Sequence, residues 1–109
     1  MRVLAVDTSS NAATVAVMED ELLLGEYTVN HKKTHSQKIM VMISQLLSDL
    51  ELTADDIDVF AAAVGPGSFT GLRIGVATVK ALAHASGKAV VSVGTLEALA
   101  YNMPYAEHI

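Results

Sequence analysis

At 109 residues, 51% apolar and 17% charged, the chain has the length and composition of one domain with a true hydrophobic core. Seven basic against twelve acidic side chains give a formal charge of −5, which argues against strong RNA binding by this domain alone, and the absence of cysteine excludes disulfides, thiolate metal sites and cysteine nucleophiles. No apolar run reaches the roughly 20 residues of a membrane span, and an acidic residue as early as Asp7 with no small-residue cleavage site argues against a signal peptide, so a cytoplasmic protein without membrane contact is expected.

Val3 to Asp7 is aliphatic and β-branched, Thr8-Ser9-Ser10-Asn11 supplies turn chemistry, and Thr14 to Met18 is apolar again. Two strands joined this closely pair antiparallel. After the charged turn Glu19-Asp20-Glu21, Leu22 to Val29 reads as a third strand of the same meander. Lys32, Lys33 and Lys38 make a small basic patch, read as solvated. Thr34 with Gln37 has the spacing of a capping box and opens a helix; Ile39, Met42, Ile43, Leu46, Leu47 and Leu50 then recur at intervals that share one face, with Ser44, Gln45, Ser48, Asp49 and Glu51 mostly opposite. Thr53 and Asp56 repeat the capping pattern for a single turn, and the continuous apolar run Val59 to Val64 suits a central parallel strand covered on both faces. Gly65-Pro66-Gly67-Ser68-Phe69-Thr70-Gly71 breaks the chain, and Leu72 to Ser86 reads as a helix closed by Gly87. Ala89 to Val93 is a second buried strand, Thr95 caps a last helix through about Tyr101, and Pro104 ends it. The predicted order, βββαβαβα, is an antiparallel meander extended by two parallel strands through helical crossovers. That is the α/β, ribonuclease-H-like layout of each lobe of actin-like proteins, a mixed sheet with helices on both faces.

A strand, a glycine loop and a helix in succession form a ready anion site, because exposed N–H groups and the positive helix end point at the loop. A P-loop is excluded, since Gly71 is followed by Leu72-Arg73 rather than lysine and a hydroxyl residue. Gly65, Gly67 and Gly71 approach a dinucleotide fingerprint, but Ser92-Val93-Gly94 offers no acidic residue at the end of the next strand, and the opening meander is not a βαβ unit. Two readings stay open for Gly65, Gly67, Ser68 and Gly71: a phosphate loop, or a tight turn without a ligand. At the end of the first strand, Asp7, Thr8 and Ser9 resemble the first phosphate loop of actin-like kinases, where a carboxylate holds hydrated magnesium; a hydroxyl-rich β-turn is the alternative. His31 and His35 have a zinc-binding spacing, but Thr34 as cap leaves His31 in the preceding loop, and no serine sits in a nucleophile elbow, so neither a metal site nor a hydrolase is expected.

In the helix after the glycine loop, Leu72, Gly75, Val76, Val79, Leu82 and Ala83 are placed to face the sheet. Ile74, Ala77, Thr78, Ala81 and Ala85 are read as a second small-to-apolar strip, with only Arg73, Lys80 and His84 as a polar seam. Apolar residues nearly all round a helix imply burial on two sides, so Ile74, Ala77, Thr78, Ala81, His84 and Ala85 are the candidate partner face.

Four stretches then carry a family likeness across nearly the whole chain. Asp7-Thr8-Ser9-Ser10, His35-Ser36, Gly65 through Gly75 (GPGSFTGLRIG) and Gly94 through Ala100 (GTLEALA), in this order, resemble the TsaB (YeaZ) family, relatives of the TsaD or glycoprotease-like proteins. The resemblance implies a non-catalytic scaffold that pairs with TsaD through helices of the first lobe and works with the ATPase TsaE in threonylcarbamoylation of the tRNA adenosine beside the anticodon. It implies that TsaD carries the metal and the catalytic site. No cofactor is expected in this chain, and at most weak Mg-ATP or ADP in the full complex. Homodimerisation in isolation and tRNA contact only through the complex are expected too. Residues 1–109 match the first actin-like lobe, and the family is about twice as long, so a fragment is expected and interlobe ligand binding is not carried over. An actin-like Mg-ATP-binding phosphotransferase lobe is the alternative.

Overall fold

The computed structural model describes residues 1–8, 12–30, 36–63 and 69–93. Strands β1 (Arg2–Asp7), β2 (Ala12–Glu19), β3 (Leu22–Asn30), β4 (Val59–Ala63) and β5 (Ala89–Val93) make one sheet in the order β3-β2-β1-β4-β5. The first strand is therefore central. It pairs antiparallel with β2, from Arg2 opposite Glu19 to Asp7 opposite Thr14, and parallel with β4, from Val3 opposite Val59 to Val6 opposite Ala62. β4 pairs parallel with β5. At the start of the β1–β4 pair, Asp58 donates its N–H to the Arg2 carbonyl (2.9 Å) and accepts the Arg2 N–H on Oδ2 (2.8 Å), which fixes the register. β3 carries a bulge: Val17 faces Gly25 while Met18 faces Leu23, leaving Leu24 as the extra residue.

Both described α-helices, α1 (Ser36–Asp49) and α2 (Phe69–Ser86), lie on one face of the sheet, and a single 3-10 turn, Ala54–Asp56, precedes β4. The strands alternate accordingly. Leu4, Val6, Val15, Val17, Phe60 and Ala62 point to the helices, where they meet Ile39, Met42, Ile43, Leu46 and Leu47 of α1 and Val79 and Ala83 of α2. Val3, Ala5, Met18, Val59, Ala61, Ala63 and Val91 form a second buried cluster on the opposite face. This two-sided burial is what continuous apolar runs in β1 and β4 require. The last helix expected from Thr95 to Tyr101 lies outside the described residues.

Helix ends are built as the sequence dictates, with one correction. α2 closes at Gly87 (φ 67°), where the Gly87 N–H reaches the His84 carbonyl (3.3 Å) and the Lys88 N–H reaches the Ala83 carbonyl (2.9 Å), a Schellman pair. α1 ends the same way without glycine: Glu51 takes φ 59°, its N–H bonds to the Ser48 carbonyl (3.0 Å), and the Leu52 N–H bonds to the Leu47 carbonyl (2.8 Å). That correction concerns the start of α2. It begins at Phe69 rather than Leu72, with Gly71 inside its first turn instead of in a preceding loop. The crossover helices α1 and α2 share one face of the sheet.

Candidate functional site

Two regions hold the residues singled out by sequence. The first is the edge where parallel strands β1, β4 and β5 end, at Asp7, Ala63 and Val93. In open α/β sheets this carboxyl edge is where ligands are received. Asp7 is half-buried there, at the last rung of the β1–β2 pair. Thr8 comes next and is only 4% exposed, because α2 lies on it. A Cβ built at Gly75 would stand 2.5 Å from Thr8 Oγ1 and 3.6 Å from both Thr8 Cβ and Cγ2. The threonine is thus packed beneath the helix rather than turned outward to a phosphate. Gly71 belongs to the first turn of α2, while Ser9, Gly65, Gly67 and Ser68 lie outside the described residues.

Among the described residues no three histidine, aspartate or glutamate side chains gather to hold a metal ion. With Thr8 buried under α2, Asp7 is what the described part of the first loop retains as a candidate ligand. His31 and His35 lie outside the described residues.

The second region is the outward side of α2. Gly75, Thr78, Val79 and Ala83 are buried against the sheet, with Val76 and Leu82 half-buried beside them. Ala77, Lys80, Ala81, His84 and Ala85 are exposed. The expected outward strip is therefore present at Ala77, Ala81, His84 and Ala85, but Thr78 does not belong to it. Thr78 is 4% exposed and lies three residues after Gly75, on the same inward arc, so helical geometry turns it to the sheet. The side chain of Ile74 is outside the described residues. The resulting surface is nearly featureless, three alanine methyls with one lysine and one histidine. His84 stands in the last turn of the helix.

α1 adds residues that sequence reading passed over. Met40 and Val41 are exposed, Val41 at 63%, and they line a shallow open depression with Ser44, Gln45 and Ser48. Their signal was available in the sequence: two apolar residues that fall outside the three- and four-residue series of the buried face. Since α1 and α2 pack on the same sheet face, their outer sides turn the same way, away from the sheet.

Residues 23–109 match a family model described as TsaD, tRNA N6-adenosine threonylcarbamoyltransferase. The tRNA threonylcarbamoyladenosine biosynthesis protein TsaB of Bacillus subtilis is 37% identical over 102 residues, covering 94% of this chain and 44% of its own length. TsaB of Escherichia coli is 34% identical over 100 residues, covering 92% of this chain and 43% of its own. The solved structure of YeaZ from Pseudomonas aeruginosa superposes with a TM-score of 0.77 at 33% identity, over 87% of this chain and 43% of that one. A Bacteroides thetaiotaomicron protein with an actin-like ATPase fold superposes with a TM-score of 0.55 at 11% identity, over 93% of this chain and 35% of that one, a likeness of fold alone. The chain spans about half the length of the curated relatives it matches, 44% and 43% of the two TsaB proteins.

Proposed function

The chain belongs to the TsaB (YeaZ) family, relatives of TsaD, and from that premise we propose that it is a non-catalytic scaffold in tRNA threonylcarbamoyladenosine biosynthesis, pairing with a TsaD-like protein through the outer sides of its helices. In this reading a TsaE-like ATPase joins the assembly, tRNA is met only through the complex, the chain pairs with itself when alone, and the setting is cytoplasmic. The observation that carries the proposal is the outer side of α2, where Ala77, Ala81 and Ala85 are exposed in a row with only Lys80 and His84 among them. Met40 and Val41 on α1 are exposed apolar side chains as well. Small residues let another helix approach closely, and a surface this poor in charge gains from being covered. The acidic balance of the chain, −5, accords with leaving tRNA to another subunit. Among the described residues no helix is long and apolar enough to cross a membrane.

Ala81→Arg tests the proposal. Ala81 is exposed, so the substitution should change folding stability by no more than about 0.5 kcal/mol. A guanidinium in the middle of a close helix contact costs roughly 3 kcal/mol, about 100-fold in Kd. Light scattering should show the variant monomeric, and titration with a TsaD-like protein should show the loss. Unchanged mass together with unchanged affinity would refute the scaffold reading.

A further inference from the structure

The buried contact between Thr8 and Gly75 joins the two regions described above, and its geometry is demanding. The three heavy atoms nearest a Cβ placed at Gly75 all belong to Thr8, at 2.5, 3.6 and 3.6 Å. Thr8 has little freedom to turn aside. Of its two other staggered rotamers one brings Cγ2 to the place Oγ1 holds, and only the one that points Hβ at the helix would make room. Retreat is limited too, because the strand that ends just before Thr8 is packed on both faces, with Val6 at 1% exposure and Ala5 at 0%. With Thr8 held in its present rotamer, relief of the clash requires α2 to rise by roughly 1 Å, the gap between 2.5 Å and ordinary van der Waals separation.

We infer that Thr8 and Gly75 are positioning residues for the partner face: the threonine side chain is the stop on which α2 is seated, and only glycine at position 75 lets the helix seat this low. The inference rests on the proposed scaffold reading for its functional meaning. Ala77, Ala81 and Ala85 ride on the same helix as Gly75. A helix moves as a body, so the height of Gly75 above Thr8 sets the height of the alanine row above the sheet. A face of methyl groups has little reach with which to compensate, and close-packed contact is lost over fractions of an ångström. The strand end bearing Asp7 and the partner face of α2 are thereby linked through one side chain.

The test uses Gly75→Ala, Thr8→Ala and the double variant, with two readouts on each: Kd for a TsaD-like protein, and the amide chemical shifts of Ala77, Ala81 and Ala85 in the unpaired chain. Gly75→Ala is expected to move those shifts and weaken pairing about tenfold. In the double variant only the Thr8 Cβ remains, near 3.6 Å from the new methyl, so shifts and affinity are expected to return to within about threefold of wild type. A folded Gly75→Ala variant with wild-type shifts overturns the inference, as does a folded double variant that fails to return. Should Gly75→Ala alone not fold, a double variant that folds with wild-type shifts supports the inference and one that stays unfolded overturns it. If the wild-type chain binds no TsaD-like protein, the scaffold reading falls on its own, and the amide shifts still decide whether Thr8 seats α2.

Discussion

Glu51 holds a left-handed backbone at φ 59° in the position after α1 that glycine occupies after α2. An L side chain there costs about 1–2 kcal/mol, partly recovered because glycine would lose more backbone entropy on folding. Glu51→Gly is therefore expected to stabilise the chain by about 0.5–1 kcal/mol, read as a higher urea midpoint with unchanged slope. Asp56 supplies a pH dependence. Its Oδ2 accepts the Thr53 N–H (2.8 Å) and the Thr53 hydroxyl (3.2 Å), and the backbone bond is the main cause holding its carboxyl below the ordinary 3.8. A lowered carboxyl favours the fold above its unfolded value, and that contribution drains away as pH falls through the folded value. Asp56→Asn should flatten the loss of stability below about pH 4, which denaturation series across that range will show. The Thr53 and Asp56 pairing was legible from spacing alone, since the capping box is a local rule. Thr78 was not: an arc of helix was assigned by residue character, small with small, and a buried threonine looks the same in sequence as an exposed one.

Among the elements, α1 depends on an absence in β3. A Cβ at Gly25 would lie 2.9 Å from Leu46 Cδ1 and 3.3 Å from Leu50 Cδ2, so the helix descends onto the strand where a side chain is missing. Flexible leucine ends give way to a methyl more readily than to a branched group. Gly25→Val is expected to cost about 1–3 kcal/mol by overpacking, measured by urea denaturation, without altering the outward sides of the helices. Strands and helices were readable where hydrophobic period was strong: the three-strand meander, the buried series from Ile39 to Leu47, and the runs that became β4 and β5. α2 starts three residues before the position its sequence suggests, because Gly71 reads as a breaker. A glycine in a first turn makes few demands, and the hydroxyl residue Ser68 immediately before Phe69 was the better start signal.

At the scale of the molecule, strand order followed from connectivity. Short links force β1, β2 and β3 into a meander, and helical crossovers carry β4 and β5 to the free side of β1 in parallel. That both faces of the sheet would be buried was legible in the continuous apolar runs of β1 and β4, which do not by themselves say which side a given helix covers. The central place of β1 has a consequence for the nascent chain. Its hairpin partner β2 leaves the ribosome directly behind it, but its other neighbour, Val59 to Ala63, is made much later. Until then Val3, Leu4, Ala5 and Val6 keep one row of amides and carbonyls unclaimed, so the interval of synthesis between the two pairings is when this polypeptide is most exposed to sticking to its neighbours and most in need of a chaperone.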